Sequence, residues 1–177
     1  MPAGCYRLLD RQTVETWNWS STDKAMIFFT VGTTDFDELA LAADRLAATL
    51  TEEVVMQIGH GLVEPQSARW FRFAPSLDPF YDAASLVVAH GGFGTLTEVM
   101  RRGLPVIGVS NPDRFDKHQD QILQAFEAAG HLIWCRDLAD LPSAIEQARQ
   151  TQFAPYRPPE SRIHLVIRAF LQEGPSK

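Results

Sequence analysis

Apolar residues come in short unbroken runs along this chain, and amphipathic segments separate the runs. Met26-Ile27-Phe28-Phe29-Thr30-Val31, Val54 to Ile58, Trp70 to Phe73, Leu86 to Ala89, Leu104 to Val109 and His131 to Cys135 each have the length and character of a buried strand. Between them the apolar positions follow a helical period. Leu39, Leu41, Ala42, Leu46 and Leu50 follow the first run, and Asp35 with Glu38 has the spacing of a capping box at that helix's start. Leu77 to Ala84 predicts a short helix with Pro79 near its start. A helix from near Thr95 ends at Arg101-Arg102-Gly103, and another from about Asp116 to Ala129 stops at Gly130 with Ile122, Leu123, Phe126 and Ala129 on its apolar side. Ser143 to Gln152 and Ser161 to Leu171 read as two more helices, joined through the proline-rich stretch Pro155 to Pro159.

Strands alternating with helices predict an α/β fold: a Rossmann-like parallel sheet with helices on both faces. Ligands in such sheets bind beyond the carboxyl ends of the strands. The loops after Val31, Ala89 and Val109 are therefore expected to converge on one crevice, provided the strand order makes those strands neighbours.

Residues 1–25 mix charged, hydroxyl and aromatic side chains, Trp17 and Trp19 among them, with no clear period. They are expected to be an N-terminal extension of unknown role, with an additional edge strand or helix as the alternative. Residues 26–153 then form the ligand-binding domain, and 154–177 a proline-rich link and C-terminal helix. A chain of 177 residues, 45% hydrophobic, can fill one such core. No run approaches a membrane span, and the N-terminus lacks the apolar stretch of a signal peptide. A net charge of −6 argues against a broad nucleic-acid surface. Cys5 and Cys135 form no metal or redox motif, which fits a reducing, cytoplasmic setting.

Candidate chemistry concentrates where Val87-Val88-Ala89 runs into His90-Gly91-Gly92-Phe93-Gly94-Thr95 and a helix. Glycines admit a close ligand, and a helix start offers free N–H groups and the positive end of its dipole. A tight turn also wants glycine, but three in four positions favour a phosphate cradle. The spacing is neither the dinucleotide fingerprint, which would need glycine at Thr97, nor a P-loop. Glu98 is read in two ways: as the partner of Thr95 in a capping box, or as an acceptor for vicinal sugar hydroxyls. Gly32, Thr33 and Thr34 could add donors to the same crevice or form a turn and N-cap. His118 and Gln119 open their helix; a solvated first turn is the plainer reading, and Gln could also serve sugar hydroxyls. Asp116, His118 and Asp120 match no common metal spacing, and no Gly-x-Ser-x-Gly elbow is present.

Taken in order, Thr30-Val31-Gly32-Thr33-Thr34, His90-Gly91-Gly92-Phe93-Gly94-Thr95 with Glu98, Leu104-Pro105-Val106-Ile107 and His118-Gln119 resemble the C-terminal domain of glycosyltransferase family 28. The likeness runs from about Met26 to Gln152. It is strongest to forms that stand alone as one subunit of a two-subunit enzyme, either a UDP-N-acetylglucosamine transferase or a bacterial exopolysaccharide transferase.

The resemblance implies the C-terminal, nucleotide-sugar-binding half of a GT-B glycosyltransferase. It implies diphosphate contacts from Gly32, Thr33, Gly91, Gly92, Phe93, Gly94 and Thr95, ribose contacts from Glu98, and donor-sugar contacts from His118 and Gln119. Longer members often carry two glutamines there, so His118 implies a different sugar preference. No metal or cofactor is expected, because backbone dipoles can neutralise the leaving diphosphate. No residue presents itself as the catalytic base. The expected function is therefore a UDP-sugar donor-binding subunit of an inverting transferase acting on a lipid-linked acceptor. A membrane-anchored partner would supply the acceptor site and the base, and hold this chain at the membrane. The alternatives are a non-catalytic nucleotide-sugar sensor or scaffold on the same fold, and a dinucleotide-dependent oxidoreductase, which the glycine spacing disfavours.

Overall fold

The structure, a computed structural model, describes residues 5–8, 26–111 and 118–158. The helix expected over 161–171, the prolines beyond 158 and the loop 112–117 lie outside the described residues. Among the described residues, seven parallel strands form one sheet: β1 (Cys5–Leu8), β2 (Met26–Thr30), β3 (Glu53–Gln57), β4 (Arg69–Phe73), β5 (Ala84–His90), β6 (Val106–Val109) and β7 (Ile133–Cys135). Their spatial order is β1-β4-β3-β2-β5-β6-β7.

The apolar runs become strands because both faces of the sheet are covered. On one face lie α1 (Asp37–Ala47) and α5 (Leu141–Gln150), packing Leu39, Ala43, Leu141 and Ile145 against Phe29, Met56, Val88 and Ile107. On the other lie α2 (Asp78–Ala83), α3 (Phe93–Arg101) and α4 (His118–Ala128), packing Phe80, Tyr81, Leu96, Val99 and Leu123 against Phe28, Val55, Phe71 and Val87. Phe28, Phe71 and Phe80 stack, with Phe71 and Phe80 centroids 4.4 Å apart, and this seats α2 on the sheet.

The strand order carries the functional consequence. From β2 the chain winds outward through β3 to β4, returns to β5 on the far side of β2, and winds the other way through β6 to β7. The reversal lies between β2 and β5, whose registers pair Thr30 with Ala89. The chain leaves β2 toward one face and β5 toward the other, so their carboxyl-end loops part and open a crevice.

Part of the segment read as an appendage belongs to the sheet. Cys5–Leu8 pairs in parallel with β4, Cys5 opposite Trp70, as the edge-strand alternative has it. A four-residue strand without flanking periodicity gives little signal of its own, because pairing to β4 supplies the order. The first helix also differs from expectation. Its N-cap is Phe36, with no side-chain cap, so Asp35 and Glu38 form no capping box there. Asp37 Oδ1 instead accepts from the backbone N–H groups of Leu62 and Val63 at 2.8 and 3.1 Å.

Candidate functional site

A cleft of about 550 Å³ opens at the carboxyl edge of the sheet, within the range usual for small-ligand sites. It is bounded by Gly32, Thr33 and Thr34 after β2, by Gly92, Gly94, Thr95 and Glu98 at the start of α3, and by Phe73 to Asp78 between β4 and α2. A larger groove, about 670 Å³, lies between α1 and Asp137–Pro142. It takes in none of the residues that follow β2 or β5, so the smaller cleft, at the reversal of strand order, is the candidate site.

The turn after β5 is built around His90. This residue ends the strand, is 8% exposed, and its ring lies between two glycines. A Cβ on Gly92 would stand 2.4 Å from His90 Nε2, and one on Gly32 would stand 3.0 Å from His90 Cε1 and 3.7 Å from Thr95 Oγ1. Gly32 therefore packs against the end of β5 and the first turn of α3 across the switch point. Gly32 also has φ +64°, a conformation that disfavours side chains. A Cβ on Gly91 would meet Gln119 Cβ and Leu123 Cδ1, each at 3.0 Å, whereas Gly94 has nothing within 4 Å. Packing thus accounts for Gly91 and Gly92, and Gly94 faces open cleft.

Helix α3 begins earlier than its sequence suggests. Its N-cap is Gly92, with no side-chain cap, and the first helical acceptor is Gly92 O, bonded by Leu96 N–H at 3.0 Å. The N–H groups of Phe93, Gly94 and Thr95 accordingly have no helical acceptor and point out of the helix start. This corrects the capping-box reading of Glu98. Thr95 sits inside the helix, and the hydroxyl engaged in the first turn is that of Thr97, donating to Gly94 O at 3.0 Å. Glu98 is exposed, lines the cleft and makes no hydrogen bond among the described residues. The Thr33–Thr34 N-cap alternative also falls, since α1 is capped at Phe36. Thr34 Oγ1 closes its own turn on Val31 O at 2.8 Å, and Thr33 is exposed to the cleft.

The remaining expected residues stand beside the cleft. Gln119 packs its stem on Gly91 and accepts from the Asn111 N–H at 3.1 Å through Oε1. His118, next to it at the start of α4, is exposed. The Phe93 side chain turns away and stacks on Phe126 at 5.9 Å, so only its backbone faces the helix start.

Two parts of the cleft were not anticipated from the sequence. One is the Phe73–Asp78 wall, where Asp78 is paired with Arg102 and accepts from the Ser76 hydroxyl at 2.8 Å. The other is Gln57, a polar residue closing the apolar run Val54–Met56, which is the signal that could have found it. Among the described residues no group of three His, Cys, Asp or Glu side chains is placed to hold a metal ion, and no helix is long and apolar enough to cross a membrane.

These features define a Rossmann-like α/β domain whose open amides and hydroxyls gather at a topological switch point. The chain belongs to glycosyltransferase family 28: the family's C-terminal domain matches residues 26–163. It is 32% identical over 121 residues to the UDP-N-acetylglucosamine transferase subunit ALG13 of Mus musculus, a match covering 61% of this chain and 10% of that protein. The chain thus spans about a tenth of that relative's length. Among solved structures, the calicheamicin glycosyltransferase CalG4 superposes with a TM-score of 0.60 at 19% identity, over 74% of this chain and 36% of that one. An ALG13 solution structure gives 0.54 at 16% identity, over 81% and 93%. Both likenesses are of fold: this domain corresponds to one half of a GT-B glycosyltransferase.

Proposed function

We propose that this chain is the donor-binding subunit of a glycosyltransferase, holding a UDP-sugar in the cleft between β2 and β5. The observation that carries the reading is the set of open N–H groups on Phe93, Gly94 and Thr95, facing the Gly32–Thr33 loop with Glu98 on the same wall. Amides at a helix start and the dipole behind them suit a diphosphate. An unbonded carboxylate one turn further along suits a ribose diol, which donates two hydrogen bonds and carries no charge. The Phe73–Asp78 wall then borders the space left for the base, and Gln119 with His118 stands on the sugar side, next to Gly91. The mouse relative's name includes UDP-N-acetylglucosamine, which makes that nucleotide sugar the first donor to test.

Transfer leaves negative charge on the departing diphosphate. Fixed amides aimed at it stabilise the transition state more than the ground state, where that charge is less developed. The acceptor hydroxyl must also lose its proton. In the described cleft the carboxylates are Asp78, held by Arg102, and Glu98, assigned to ribose. We assign the base and the acceptor site to a membrane-anchored partner, with a lipid-linked acceptor and inversion at the anomeric carbon, in polysaccharide or glycolipid synthesis.

Calorimetric titration with UDP, UDP-N-acetylglucosamine, UDP-glucose, UDP-galactose and NAD tests the donor. Binding of UDP and one UDP-sugar, with none of NAD, is expected. Binding of NAD alone overturns the reading. Sugar transfer to a lipid-linked acceptor, seen only when the partner is present, separates a transferase subunit from a nucleotide-sugar sensor.

A further inference from the structure

We infer that Gln57 is a nucleotide-contacting residue, its side-chain amide held so that two N–H donors face the cleft and take an acceptor oxygen of the bound nucleoside diphosphate. The inference rests on the donor-binding reading above and adds to it a contact from the sheet itself.

Gln57 ends β3, is 5% exposed and lines the cleft. Its neighbours in register are Thr30 on β2 and Phe71 on β4. The amide's orientation follows from a short relay. The Gly32 N–H donates to Thr30 Oγ1 at 3.1 Å, and the Thr30 hydroxyl donates to Gln57 Oε1 at 2.6 Å. Thr30 is fully buried, so its single hydroxyl proton needs an acceptor, and Gln57 Oε1 is the one present among the described residues. Turning the amide over would leave that proton without an acceptor. The carbonyl is thus committed to the relay, and the NH₂ group is left facing the cleft with no hydrogen-bond partner among the described residues.

Gln57 is 5% exposed, yet its amide nitrogen is not among the buried unpartnered atoms, so the donors reach the cleft, at a strand end that Leu or Met would otherwise fill. Its chemistry explains its presence: it can only donate, and a nucleoside diphosphate offers acceptors as base carbonyls and as phosphate oxygens. The same relay ties this contact to the Gly32 loop, so the amide and the loop are positioned together.

The test is titration of the full chain with UDP and with inorganic pyrophosphate, comparing wild type, Gln57→Glu and Gln57→Met, with melting curves for each. Gln57→Glu keeps an acceptor for Thr30 and replaces the donor pair with negative charge, and Gln57→Met keeps the volume and removes both functions. UDP affinity is expected to fall about tenfold or more in both. A loss confined to UDP identifies the acceptor as a base carbonyl, and a parallel loss with pyrophosphate identifies a phosphate oxygen; either supports the contact. Independently of any variant's stability, the wild-type Gln57 side-chain ¹⁵NH₂ resonances are expected to shift on addition of UDP. Equal UDP affinity in all three chains, or unmoved resonances at saturation, overturns the role of Gln57 and leaves the donor site standing. A wild-type chain that takes no UDP overturns both.

Discussion

Glu98 and Gly94 separate ligand chemistry from folding most cleanly, because each faces the cleft and neither completes the local structure. Glu98 caps nothing, so Glu98→Ala is expected to weaken UDP binding by about tenfold or more while the melting temperature moves by less than about 2 °C. A large drop in melting temperature with unchanged affinity would return Glu98 to a capping role. Alanine at position 94 meets open space and favours helix, so stability should hold or rise by up to about 1 kcal/mol. Its methyl enters the space above the open amides, and UDP affinity is expected to fall. Alanine at position 92 does the reverse in folding terms: its Cβ strikes the His90 ring and is expected to cost about 1–3 kcal/mol. The glycine cluster was visible from the residues alone. The division of labour within it was not, since two of its glycines answer to side chains on other elements.

At the scale of elements, small displacements decided which reading survived. Helix α3 begins two residues before Thr95, which moves Thr95 out of the cap position and releases Glu98 to the cleft. The residue pattern Thr-Leu-Thr-Glu is compatible with either start, and the backbone chooses through the close fit of Gly91 and Gly92 against Gln119, Leu123 and His90. Elements are also strapped to one another by carboxylates. Glu127 on α4 accepts from Arg136 at 2.6 Å and from the Trp134 N–H at 3.1 Å, and these bonds, the Arg136 pairing foremost, hold its carboxyl below its ordinary value. A carboxyl depressed in the folded state stabilises the fold above its unfolded pKa, and that contribution is lost as pH falls through the folded value. Melting curves between about pH 3 and 7 are therefore expected to show a steeper acid limb in the wild type than in Glu127→Gln. Identical limbs would show that the strap adds nothing.

For the molecule as a whole, the proposed function makes this domain one half of a two-sided reaction. Saturation with UDP at about 100 times its dissociation constant adds about 2.7 kcal/mol, so the melting temperature is expected to rise by roughly 5–10 °C. Differential scanning fluorimetry with UDP measures this, and an unchanged transition would argue against a preformed donor site. Co-expression with a neighbouring membrane protein is expected to yield a complex with transferase activity on a lipid-linked acceptor. Such activity from this chain alone would refute the division between donor and acceptor subunits.

The alternation of buried runs with amphipathic segments determined the parallel α/β architecture, because apolar stretches of that length must be covered on both faces. The glycine-rich helix start and its carboxylate were likewise written in local chemistry. Tertiary structure alone decided the rest. Strand order put the β2 and β5 loops side by side at the reversal, and pairing with β4 drew Cys5–Leu8 into the sheet. Packing around His90 set where α3 begins, and the Thr30 relay turned the Gln57 amide toward the cleft. Each of these depends on partners distant in the chain, and a one-dimensional pattern carries periodicity but not the identity of the neighbour.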